Sequence, residues 1–130
     1  MTAPDNGVHI TSFGYGHDAP PAAHLTVDLR VHFRDPHVNP ALRHLTAHDP
    51  AVRDAVLSTP GIPHLIAALA ETVAAYRAGP TPAPITVAIG CAGGRHRAAT
   101  VATALADRLH GMDIPATVAH RDLHRPVITR

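Results

Sequence analysis

The run Ile85-Thr86-Val87-Ala88-Ile89, followed at once by Gly90-Cys91-Ala92-Gly93-Gly94-Arg95-His96-Arg97-Ala98, restricts the possible folds of this chain more than any other feature. Five residues that are apolar at nearly every position read as a strand of a parallel sheet, covered on both faces. A tight glycine-containing loop from Gly90 to Arg97 then opens a helix. That helix runs to His110, with Val101, Leu105 and Leu109 on one face and Gly111 as its stop. A helix N-terminus carries unpaired N–H groups and roughly half a positive charge. Glycines let the backbone wrap closely around an anion. Arg95, His96 and Arg97 add side-chain donors, and a guanidinium can grip a phosphate through two parallel bonds. The segment therefore favours phosphate or another anion. The alternative is a plain strand–helix connection whose cations face water, since a glycine loop alone specifies little.

The remaining pattern fits a layered α/β domain. Val8 to Phe13 alternates as a strand and ends in Gly14 and Gly16; Leu25 to Arg30 is a second strand. Residues 34 to 49 are rich in proline, histidine and aspartate and read as a long ordered loop. Asp49-Pro50 is an N-cap followed by a first-turn proline, opening a short helix to about Leu57. A helix from about Pro63 to Ala78 carries the stripe Ile62, Leu65, Ile66, Leu69, Val73 and Tyr76, and Gly79-Pro80 ends it. Ala116 to His120 is a last strand, and Arg121 to Arg130 a basic tail. The order β, β, α, α, β, α, β predicts a small mixed or mostly parallel sheet with helices packed on it. Ligands are expected at the carboxyl ends of its strands.

Composition sets the outer limits. At 130 residues the chain reads as one domain, with an ordered core over about 8–125. The single cysteine, Cys91, excludes an intrachain disulfide framework and a multi-cysteine zinc site. All eleven cations are arginine, so neither a Walker A lysine nor a lysine Schiff base is available. Residues 1–90 carry five arginines and seven acids, whereas residues 91–130 carry six arginines and three acids, so positive charge gathers on the side of the glycine loop. Twelve histidines predict that anion affinity rises on acidification. With four aromatic residues, base-stacking platforms are nearly missing. No apolar run approaches the ~20 residues of a membrane helix. The polar start lacks the basic end and apolar middle of a signal peptide, so a cytoplasmic protein is expected.

Cys91, Gly94 and Arg97 also stand at C-x-x-G-x-x-R spacing, which is similar to the phosphate loop of cysteine-dependent phosphatases. There a thiolate attacks phosphorus while loop amides and the arginine hold the oxygens. Gly90 stands where those enzymes usually carry histidine, and Ala98 where they carry serine or threonine. No general acid is identifiable; Asp28 and Asp35 are unplaced candidates. The alternative is that Cys91 is simply a small residue at a strand end.

Taken with its surroundings, the loop resembles something more specific. Ser12-Phe13-Gly14-Tyr15-Gly16-His17, Asp28-Leu29-Arg30 with Asp35 to Arg43, Leu45-Thr46, Thr86 to Arg97 and His120-Arg121-Asp122-Leu123 together resemble the carboxy-terminal domain of the RapZ family, RNase adapter proteins also called YvcJ-like. The likeness runs from about Val8 to Arg125. It lacks the family's amino-terminal P-loop domain. The resemblance implies a regulatory module rather than an enzyme. Its expected partners are a phosphorylated small molecule such as glucosamine 6-phosphate, small RNA, and a second copy in a homo-oligomer. No bound cofactor, metal or membrane is expected. The resemblance also implies a phosphate pocket of His17, Gly93, Gly94, His96 and Arg97 with Arg30 and His37; Cys91, Ala92 and Arg95 of the same loop complete the candidate ligand-binding set. The chain departs from the family at Val38, Ala47, Ala92 and Ala98; the loss of two loop hydroxyls is expected to re-tune phosphate binding.

Several residues carry two readings. Alone, His17 is a surface histidine; in the family pattern it closes the pocket. Asp28 and Arg30 share one strand face, as a structural ion pair or as ligand contacts. Arg121, Arg125 and Arg130 either track an RNA backbone or belong to a solvated tail. His32, His37, His44 and His48 are expected to be structural or solvent-facing rather than metal ligands, because the prolines around them oppose helical spacing.

Overall fold

The computed structural model describes residues 7–34 and 40–126. His37, Asp35, Val38 and Arg130 lie outside the described residues. Strands β1 (Val8–Gly14) and β2 (Leu25–Asp28) come first, followed by a single 3-10 turn at Pro40–Leu42. Helices α1 (Pro50–Leu57) and α2 (Ile62–Arg77), strand β3 (Ile85–Cys91), helix α3 (Arg97–Gly111) and strand β4 (Ala116–His120) complete the order. The four strands form one sheet in the order β2-β3-β1-β4, and every pairing is parallel.

This order decides where the helices go. Parallel crossovers are right-handed, so connections that step in one direction along a sheet use one face. The steps β2 to β3 and β3 to β4 run in the same direction and carry all three helices. The helices share one core with Val8, Ile10, Ile85, Val87 and Ile89. The step β1 to β2 runs the other way and has no helix, only residues 15–24. The expectation that β3 is covered on both faces holds, although only one of those faces carries helices. On the opposite face Ala88 is nevertheless 1% exposed. His24, just before β2, bonds Thr86 on that face through its backbone N–H and its ring Nδ1. The run reads as doubly buried because Ala88 is shielded without a helix over it.

Local signals hold with small shifts. The Asp49 carboxylate accepts from the Ala51 N–H at 2.9 Å and caps α1, with Pro50 in its first turn. Buried Ile62, Ile66, Leu69 and Val73 face the core, while Tyr76 lies 48% exposed at the end of the expected stripe, beside the His24 ring. Val101, Leu105 and Leu109 are fully buried. Gly111 is the last residue of α3 rather than its stop, and the left-handed turn falls at Asp113, φ 60°. Strand β3 runs two residues further than its apolar run, because Gly90 and Cys91 still pair with Phe13 and Gly14.

Candidate functional site: the turn before helix α3

β1 and β3 are neighbours whose onward connections leave in opposite directions. Their carboxyl ends, Gly14 and Cys91, therefore meet at the switch point where open α/β sheets bind ligands. The chain beyond β1 keeps pairing with the turn: Tyr15 and Gly16 donate backbone N–H bonds to the carbonyls of Cys91 and Ala92, both at 2.9 Å. Gly14 must be bare, since a β-carbon there would sit 2.4 Å from the Gly93 carbonyl carbon. Gly94 takes φ +78°, and a β-carbon on it would sit 2.8 Å from Gly14 N. Both glycines answer to crowded backbone, and at Gly94 the positive φ adds to it.

The donors of this turn divide into two sets. The N–H groups of Gly94 and Ala98 point at Cys91 Sγ, at 3.3 and 3.4 Å. The N–H groups of Gly93, Arg95 and His96 have no hydrogen-bond partner among the described residues. His96 occupies the N-cap of α3 and its own side chain makes no cap bond; of the first-turn amides, Ala98 points at Cys91 Sγ. Just ahead of the helix, the amides of Gly93, Arg95 and His96 are thus directed at no protein group among the described residues.

The cationic side chains brace neighbouring segments. Arg95 donates to the carbonyls of His44 and Arg125, each at 2.8 Å, while its own carbonyl accepts from Ala47 N–H. His96 Nε2 lies 2.6 Å from the Leu45 carbonyl, so that nitrogen carries the hydrogen. Burial lowers the His96 pKa, with the nearby Arg95 and Arg97 charges acting in the same direction. Arg97 Nη1 donates to the Leu29 carbonyl at 2.7 Å and ties the end of β2 to the start of α3. These contacts place Arg95, His96 and Arg97 around the turn, with positive potential beside it and the bonds above made to protein carbonyls. His17 is turned back by its N–H bond to the Gly14 carbonyl, and its buried Nε2 has no partner among the described residues.

Cys91 is 3% exposed and lies beneath the turn. Gly90 cannot be the histidine of a phosphatase loop: a β-carbon there would fall 2.4 Å from the Phe13 ring and 2.5 Å from the Tyr15 ring. Arg30 does not reach the turn. Its Nε and Nη2 bond the Asp28 carboxylate, which holds Asp28 below the usual carboxylate range, and its guanidinium lies 3.6 Å over Tyr15.

The tail arginines are occupied as well. Arg121 donates to the Ala19, Asp18 and Gly14 carbonyls and to the Asp122 carboxylate. Arg125 bonds Asp18 and Asp122. Asp122, 1% exposed, also accepts the Gly14 N–H at 2.7 Å. Burial raises its pKa, but the bonds from Arg121 and Gly14 outweigh that and leave it lowered. Sequence reasoning passed over Asp122, although an acid with arginines at positions 121 and 125 is the visible signal of a neutralised buried carboxylate. No group of three or more histidine, cysteine or acidic side chains is arranged to hold a metal among the described residues. Nor is any single helix there long and apolar enough to cross a membrane.

The chain is similar to known proteins over most of its length. A "Nucleotide-binding protein" of Trichlorobacter lovleyi is 37% identical over 123 residues, covering 91% of this chain and 42% of that protein. Proteins of the same name from Rubrobacter xylanophilus and Moorella thermoacetica are 41% and 38% identical, over 89% and 94% of this chain. The chain spans about two fifths of the length of these relatives. The profile of the RapZ C-terminal domain matches residues 6–124, and the chain belongs to that family.

Proposed function

We propose that this domain is a non-enzymatic regulatory module that binds a phosphorylated small ligand at the turn Gly93–Arg97. The observation that carries the reading is the set of amides of Gly93, Arg95 and His96, unpartnered among the described residues, just ahead of a 15-residue helix. Three N–H groups and the helix dipole suit a tetrahedral oxyanion. Arg95 and Arg97 supply positive potential, and His17 stands at the edge with an unpartnered buried nitrogen. The names of the relatives, nucleotide-binding proteins, accord with a phosphate-bearing ligand. Catalysis through Cys91 is not part of the proposal, because its sulfur lies beneath the turn and accepts two of the turn's amides. An RNA surface built on Arg121 and Arg125 is not part of it either, since both guanidinium groups are held by the protein.

Occupancy has a route to regulation. Arg95 and His96 hold residues 44–47 and the tail, so a ligand on their amides biases both segments. The test is titration with inorganic phosphate and a sugar phosphate near pH 6, followed by calorimetry and by amide shifts of Gly93, Arg95 and His96. Saturable binding that moves those three resonances is expected. No heat and no shift with either compound overturns the proposal.

A further inference from the structure

Beside the turn, on the face of the sheet away from the helices, lies a stack that the phosphate reading does not use. Phe13 and Tyr15 pack edge to face, with centroids 4.7 Å apart, over bare Gly90. The Arg30 guanidinium lies on the Tyr15 ring at 3.6 Å. Asp28 grips its Nε and Nη2 side at 3.0 and 2.8 Å, which fixes the plane of the group. The Arg30 side chain is 41% exposed, and Nη1 has no partner among the described residues. The stack is anchored next to the turn: Leu29 donates its N–H to the Gly90 carbonyl and accepts from Arg97 Nη1.

We infer that the Tyr15–Arg30 stack is a platform for the base of a nucleoside monophosphate whose phosphate occupies the turn before α3. The inference rests on the phosphate reading and names its ligand class. A guanidinium already locked flat loses little freedom when a second planar group covers it, and its delocalised charge attracts a π-face. Base stacking of this kind depends little on which base is present. Nη1 and the open face of Arg30 are the parts of the stack that the protein leaves for a guest. A sugar phosphate, lacking a π-face, gains nothing from them. The expectation that stacking platforms are nearly missing from this chain counts only aromatic residues; the stack here ends in an arginine.

The experiment compares a nucleoside 5′-monophosphate with ribose 5-phosphate by calorimetry on the whole chain. Wild type is expected to bind the nucleotide between about fivefold and about 150-fold more tightly, as one added stacked base of ~1–3 kcal/mol implies. Arg30→Lys keeps the charge and loses the plane, so it is expected to abolish the preference while leaving ribose 5-phosphate affinity within about twofold. Equal affinities for the two compounds in wild type, or a preference that survives Arg30→Lys, overturns the inference. Binding of neither compound overturns the phosphate reading itself, which keeps the two failures apart.

Discussion

Single residues at this site are set by how closely two backbones approach. Gly94 is the sharpest case: a positive φ coincides with a β-carbon position 2.8 Å from Gly14 N. Gly94→Ala is expected to cost about 1–3 kcal/mol from backbone strain, more if the strands part. Urea unfolding measures it, and a loss within about 0.5 kcal/mol, the range of an ordinary surface change, contradicts the close packing. Asp122 is the matching case in electrostatics. It holds the Gly14 N–H and two arginines from a buried position. Asp122→Ala leaves that amide and the Arg121 charge uncompensated, and a loss of about 3 kcal/mol is expected in the same assay. Asp122→Asn, which keeps an acceptor for Gly14, is expected to lose less. Gly94 was legible in sequence as part of a glycine turn, but Gly14, the partner that makes it necessary, was read only as punctuation. The requirement exists only once β1 and β3 are neighbours.

At the scale of elements, local chemistry is most reliable where a residue acts on its own turn. Asp49-Pro50 announces α1 and caps it as expected, and Asp49→Ala is predicted to cost about 1 kcal/mol by thermal or urea unfolding. Three helices and four strands were legible from periodicity, with ends displaced by one or two residues. The exceptions have tertiary causes. β3 outruns its apolar pattern because Gly90 and Cys91 pair with β1. Tyr76 leaves the buried stripe because the core ends before it, and its ring lies near His24 instead. The cluster Arg95-His96-Arg97 read as a clamp for anions, yet these side chains brace the 44–47 segment, the tail and β2. Their direction depends on segments 30, 51 and 68 residues away in sequence, which no local pattern contains.

Across the whole molecule, the histidine and carboxylate shifts that govern the acid side act in one direction. His96 and His120 are both lowered, chiefly by burial; His48 and His124 add to the effect at His120. The unfolded chain therefore takes up protons near the ordinary histidine value of about 6.5 that the folded chain refuses. More protons on the unfolded state means that stability rises with pH, so it is complete above about 6.5 and falls as the pH drops below it. Asp28 and Asp122, both lowered, extend the loss into the carboxylate range. Tm is expected to hold from pH 7.5 to about 6.5 and to decline from there to 5.5, and His120→Gln to flatten that decline. A Tm independent of pH across this interval would contradict the assignment. The sequence by itself determined the α/β class, the order of the elements, the family and the place of the glycine turn before α3. Those follow from short-range periodicity, caps and contiguous motifs. Tertiary structure alone decided which turn amides lack partners, which arginines are already held, and that Tyr15 and Arg30 stack beside the turn. Each of these depends on parallel pairing, which sets together residues that the chain itself holds far apart.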